Sequence, residues 1–180
     1  MKETTLSRKE RITEAALSLF ATKGFMNTST KEIALEAGVS EALIFKHFGN
    51  KEGLLAHIVK AGYRRVLSHH RGMMTYANPT EFLKNMILLP RKLVADEPLF
   101  WKLQERLSHN EFSKQQHDQF MKPVQPVLMK AFSELGYEEP ALEMQFLLLI
   151  IDMLWKKEAN GDIANGAALE RLLEKKYNLR

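Results

Sequence analysis

Two short helical runs separated by one glycine, between Ser29 and Lys51, constrain this chain more than any other feature. In STKEIALEAGVSEALIFKHFGNK, apolar or small residues fall at Ile33, Ala34, Ala37, Val39, Ile44 and Phe48. Ile33 and Ala37 share a helix face by the i, i+4 rule, as do Ile44 and Phe48. Gly38 stands where the first run must end, because glycine tolerates the left-handed backbone of a helix C-terminus. Ser40 is a suitable N-cap for the second run. Two short helices joined by a tight glycine turn form a helix-turn-helix, whose second helix enters the DNA major groove.

The flanking residues extend the pattern. Ser7 with Glu10 makes a capping box ahead of an Ile12, Ala15, Ala16, Leu19, Phe20 stripe that stops at Gly24. Ser29 with Glu32 makes a second box, and Asn50 caps a further helix from Lys51. With Lys23-Gly24-Phe25, Ala37-Gly38-Val39-Ser40, His47-Phe48 and Asn50-Lys51-Glu52 at ungapped spacing, the segment of about residues 7–58 resembles the N-terminal domain of the tetracycline-repressor (TetR) family of bacterial regulators.

The start of the second helix offers free backbone N–H groups, the Thr30 hydroxyl and the Lys31 ammonium, all suited to a phosphate oxygen; the plainer reading is that Thr30 merely caps. On the third helix, a 100° step from a buried Ile44 turns Ala42 and Lys46 outward, flanked by Leu43 and Phe45. Ala42 or Leu43 can pack on thymine methyls, and Lys46 can donate to guanine or phosphate. The resemblance adds Ser40 and Glu41 at the groove-facing end and His47 and Lys51 near the backbone. It also marks departures: Phe45 stands where tyrosine is usual, Leu43 where threonine is commoner, and Glu41 brings a negative charge.

Charge gives only weak support. Residues 1–53 hold eight Lys/Arg against seven Asp/Glu, leaving +1, a small field for a DNA reader. Lys60, Arg64, Arg65 and Arg71 read as a solvated helix face. The near-neutral head and the lost tyrosine hydroxyl sustain a rival reading, a helical small-molecule carrier or interaction module with a degenerate helix-turn-helix. Residues 1–6 read as a frayed terminus rather than an arm.

Beyond the head, assigned to 1–53, residues 54–180 form a C-terminal regulatory and dimerisation domain. The helix from Lys51 is expected to run to about Met73, and prolines mark later starts at Pro79, Pro98, Pro123 and Pro140, with Pro90 expected to kink its helix. No strand alternation is seen, so the expected fold is all-α with about nine helices. Methionines and aromatics of the middle segment read as plain core. The resemblance implies an inducer pocket there, with Phe82, Met86, Phe100, Trp101, Phe120 and Met121 as candidates for a small molecule of unknown identity. MQFLLLIIDMLW, Met144–Trp155, is apolar on nearly every face, so a second copy of the chain is the economical cover, with Phe146, Leu149, Ile150 and Met153 as interface candidates. Asp152 is assigned a structural bond within that layer, with a ligand-facing role as the alternative.

The sequence carries no phosphate loop, nucleophile elbow or metal motif, so no enzyme activity, cofactor or metal is expected. His69, His70, His109 and His117 read as surface residues. With no cysteine and no apolar run of membrane length, a cytoplasmic protein without a membrane partner is expected. Double-stranded DNA, an inducer and a homodimer partner complete the reading.

Overall fold

The computed structural model describes residues 6–179, so the N-terminal reading up to residue 5 lies outside the described residues. Local capping fixes the first three helices. α1 (Arg8–Thr22) and α2 (Thr30–Ala37) each begin at a complete capping box, Ser7–Glu10 and Ser29–Glu32. Gly38 ends α2 at φ 62°, ψ 44°, the left-handed cap its position demands. α3 (Glu41–Phe48) starts at Ser40, whose extended backbone serves as the cap while its hydroxyl makes no capping bond. Ile12, Phe20, Ile33 and Ile44 converge at 0% exposure and make the core of the head.

α4 (Lys51–His69) opens at Asn50, whose side chain accepts the Gly53 N–H at 2.7 Å. It ends four residues before the expected Met73. His70 departs from helical backbone, and a separate turn, α5 (Arg71–Met74), follows. At this stop His70 Nε2 lies 3.3 Å from Asp96 Oδ2, and Arg65 forks onto Glu97, with Nη2 to Oε2 at 2.6 Å. The last turn of α4 is thereby held to the corner ahead. Arg65 belongs to this pair, whereas Lys60, Arg64 and Arg71 are exposed, as a solvated face requires.

The remaining helices are α6 (Pro79–Asp96), α7 (Pro98–Arg106), α8 (Glu111–Met121), α9 (Val124–Glu134), α10 (Pro140–Asn160) and α11 (Gly166–Lys176). The described residues thus form eleven helices rather than about nine, and no strand. Pro90 lies inside α6 without ending it, at the cost of the helical donor to the Met86 carbonyl. α6 and α10 pack along each other at the centre of the body, with α7 and α9 on α10 and α11 against α6. A bidentate pair from Arg91 to Glu170 ties α11 to α6, with bonds of 2.9 and 2.6 Å. No helix among the described residues is long and apolar enough to cross a membrane.

Two elements join head and body. One is α4 itself. The other is α7, which packs against α1 and sends the Arg106 guanidinium to the Thr22 carbonyl at 3.1 Å. α4 and α7 also meet directly, where Gly62 leaves room for the Phe100 ring.

Candidate DNA-reading head and ligand cavity

The exposed face of α3 is the one expected from rotation about Ile44. Ala42, Lys46 and His47 face water, and Phe45 is 46% exposed. Leu43 is only half exposed and packs partly on the core, so its share of the outer face is smaller than the rotation suggested. Lys31 is exposed on the first turn of α2. Neither Lys31 nor Lys46 forms an ion pair among the described residues, which leaves both free for phosphate or base edges.

Three residues are arranged differently from the sequence reading. The Thr30 hydroxyl donates to the Glu41 carboxylate, so the two helix starts of the motif are bonded to each other and the hydroxyl proton is already used. Glu41 is half-buried in that contact rather than projecting freely. Lys51 turns inward: its ammonium donates to the carbonyls of Phe25 and Thr28 at 3.0 and 2.9 Å and lies over the Phe25 ring at 4.4 Å. It pins the loop between α1 and α2, a task that follows from tertiary placement and leaves no cue in the sequence.

The body holds a half-open cavity of about 500 Å³ between α4, α6, α7, α8 and α10, with Gln125 of α9 at its wall, within the range of small-molecule sites. Met86, Trp101, Phe120 and Met121 line it. Phe82 and Phe100 do not. Phe82 packs under Tyr76 at 5.6 Å between ring centroids, and Phe100 turns toward α4 and meets Tyr63 edge-on at 5.4 Å. On α7 the cavity face is set by Trp101 and Gln104, three residues apart, and Phe100 lies one step round the helix.

Sequence reasoning missed the polar part of the lining. Gln104 Oε1 accepts from the Tyr63 and Ser113 hydroxyls at 3.1 and 2.9 Å, and Tyr63 also meets His117 Nδ1 at 3.1 Å. His117 is therefore not a surface histidine; it packs against Trp155 at 5.6 Å between ring centroids. His117 is half-buried and His70 is buried, whereas His69 and His109 are exposed. The available cue was polarity on an otherwise apolar helix face, at Tyr63 and at Gln104. Asp152 makes the bonds within its helix that the sequence assigns to it, accepting Trp155 Nε1 at 3.1 Å and Lys156 Nζ at 2.6 Å, and it also stands on the cavity wall. Among the described residues no group of three or more His, Cys, Asp or Glu could hold a metal ion.

Burial pushes the His117 pKa below its ordinary value, aided by Lys156 and opposed by Asp152 and Asp118. The folded protein therefore favours the neutral ring, while the unfolded chain takes up a proton near pH 6.5. The unfolded state thus binds more protons as pH falls below that value, so stability present above it is lost on acidification. The melting temperature should fall between pH 7.5 and pH 5, and His117→Gln should flatten that fall. A residual slope is expected from His57, which burial also lowers. An unchanged slope in the variant would contradict this account of His117.

Comparison with known proteins agrees with the geometry. The profile of bacterial regulatory proteins of the tetR family matches residues 12–58. An uncharacterized HTH-type transcriptional regulator of Bacillus subtilis, YvkB, is 54% identical over 46 residues, 26% of this chain and 24% of that one. The chain thus spans about a quarter of that relative's length. The HTH-type transcriptional repressor KstR2 of Mycobacterium tuberculosis is 25% identical over 162 residues, 83% of this chain and 78% of its own length. The crystal structure of a transcriptional regulator FadR from Bacillus subtilis, in complex with stearoyl-CoA, shares the fold with a TM-score of 0.72 at 20% identity, covering 93% of this chain and 96% of its own. Residues 12–58 thus carry, as a capped helix-turn-helix, the pattern of the tetR family of bacterial regulatory proteins, and the whole chain shares the fold of a solved transcriptional regulator.

Proposed function

We propose that the protein is a DNA-binding transcriptional regulator, a ligand-responsive repressor that binds a palindromic operator as a homodimer. The observation that carries this reading is the outer face of α3. Ala42, the half-exposed Phe45 ring and the unpaired Lys46 ammonium stand together on it, an arrangement that gains nothing in water and fits a major groove. A repressor among the relatives and a solved fold-mate holding stearoyl-CoA support ligand control. The cavity lies against α4 and α7, the two helices that reach the head. A ligand that binds one arrangement of these helices better than the other shifts the equilibrium by its differential affinity. The readout is the separation of two recognition helices, which must stay near one DNA turn, about 34–36 Å. The exposed α10 stripe of Leu142, Phe146, Leu149 and Met153 supports dimerisation.

Filter binding of genomic fragments at two salt concentrations tests the reading, because phosphate contacts make affinity fall steeply with salt. Lys46→Ala should cost about 1–3 kcal/mol and relax preference at one base position. Glu41→Gln should strengthen binding several-fold by removing a negative charge near the phosphates while retaining an acceptor for Thr30. A protein that retains no fragment at either salt would instead be a helical carrier with a degenerate head, a reading that the head's +1 charge favours.

A further inference from the structure

We infer that the cavity takes an organic cation, a protonated amine on an apolar body, whose N–H groups are received by His117 Nε2 and Asp152 Oδ1. The inference rests on the ligand-responsive reading above and adds the chemical class of the ligand. His117 and Asp152 both line the cavity, and these two atoms stand 3.9 Å apart, too far to bond each other. Both side chains remain open to solvent, His117 at 24% and Asp152 at 40%. His117 Nε2 has no hydrogen-bond partner among the described residues, yet it is not shut off from solvent as Trp101 Nε1 and Gln104 Nε2 are. A ligand nitrogen about 2.9 Å from both atoms would send one N–H to each.

The bonding around His117 makes its free nitrogen an acceptor. The Tyr63 hydroxyl gives its proton to Gln104 Oε1 at 3.1 Å, so in the 3.1 Å contact with His117 Nδ1 the ring is the donor. Burial lowers the His117 pKa and leaves the ring one proton, which that bond uses, so Nε2 is bare. Opposite it, Asp152 Oδ1 accepts the neutral Trp155 N–H at 3.1 Å, while Oδ2 holds the Lys156 ammonium at 2.6 Å. Two acceptors facing across a gap call for a donor between them. Charge makes that donor a cation. Two carboxylates, Asp152 and Asp118, act on His117 against one cation, Lys156, and the same two add to burial in raising the Tyr63 pKa. Lys114, the fourth charge of the lining, is exposed and shifts neither group. This corner is therefore short of one positive charge. The aromatic rings that pack on His117, those of Tyr63, Phe120 and Trp155, favour a cation as well. A ligand carboxylate would instead meet two carboxylates and a bare nitrogen. Met86, Leu89 and Leu93 surround the apolar part of the guest.

The chain's two tryptophans, Trp101 and Trp155, both line the cavity with ring centroids 5.2 Å apart, so intrinsic fluorescence reports occupancy. The full-length protein is titrated separately with octylamine, 1-octanol and octanoate, at pH 7.5 and without DNA. An alkylamine is protonated at that pH. Octylammonium is expected to bind at least about tenfold more tightly than octanol, with octanoate the weakest of the three. Asp152→Asn keeps the size of the side chain and removes its charge. It should weaken octylammonium binding about tenfold and leave octanol within about twofold. His117→Phe keeps a flat ring, loses Nε2, and should weaken octylammonium about three- to fivefold. Octanol or octanoate binding as tightly as octylammonium overturns the inference, as does the absence of saturable octylammonium binding. Wild-type octylammonium affinity in Asp152→Asn overturns it as well, and the order of the three ligands on the wild type decides even if neither variant folds. These outcomes are separable from the regulator reading, which stands or falls on retention of DNA fragments by the unliganded protein.

Discussion

Phe146→Arg is expected to turn a dimer into a monomer and to abolish operator binding with it. α10 presents Leu142, Phe146, Leu149 and Met153 at intervals of four, three and four residues, all exposed on the single chain, with Leu149 at 71%. Leu172 adds an exposed apolar side chain on α11. A contiguous apolar stripe of this kind marks an association surface. Two α10–α11 pairs related by a two-fold axis would form a four-helix bundle and cover it. In such an interface each substitution appears twice, and a buried charge without a partner costs about 3–5 kcal/mol. The local field makes Phe146 the sharper choice, because the Lys176 ammonium already lies 5.5 Å from its ring centroid and would repel an arginine. Leu149 is a less clean test, since it also lines the cavity. A rise in the dimer dissociation constant of about a thousandfold follows from about 4 kcal/mol. Light scattering at micromolar concentration measures it: a monomeric wild type, or a variant that stays dimeric, would refute the interface.

The head was largely legible in the sequence because its determinants are local. Ser7 with Glu10, Ser29 with Glu32, Gly38 and Asn50 each act on a backbone group within three residues, and each stands in the structure where the spacing put it. The all-α body followed from proline-marked starts and helical periodicity in the same way. Determinants acting across elements stayed hidden. Lys51 reaches carbonyls more than twenty residues away, and Arg65 reaches Glu97 across 32. The end of α4 stands beside such pairs, which local sequence does not announce. The cavity shows the same limit at the level of a single turn. Phe100 and Trp101 are adjacent, aromatic and buried, yet one packs on α4 and the other lines the site. Periodicity places both on the inner side of α7, and only the position of its neighbours separates them.

That neighbour makes Gly62 the most sensitive point in the connection between head and body. Gly62→Ala should destabilise the protein even though alanine is the better helix former by about 1 kcal/mol. A Cβ at position 62 would lie 2.0 Å from Phe100 Cε2 and within 2.5 Å of two further ring carbons. No side chain tolerates such an approach, and the ring has little freedom to swing away. It is 1% exposed and held edge-on by Tyr63 and Trp101, each at 5.4 Å between centroids. α4 and α7 must therefore move apart. Overpacking of this kind costs about 1–3 kcal/mol, more where relaxation is blocked, so the clash outweighs the propensity gain. For a chain of this size the melting temperature should fall by roughly 2–4 °C for each net kcal/mol. The displacement reaches function as well, because α7 carries Trp101 and Gln104 into the cavity and Arg106 onto the Thr22 carbonyl of α1. Phe100→Leu should be mildly destabilising alone, yet in combination with Gly62→Ala it should restore stability, since the shorter side chain vacates the space that the methyl needs. Contacting residues that share a steric constraint are non-additive in this sense. A Gly62→Ala protein with an unchanged melting temperature, or a double variant no more stable than the worse single, would show that α4 and α7 do not meet through this contact.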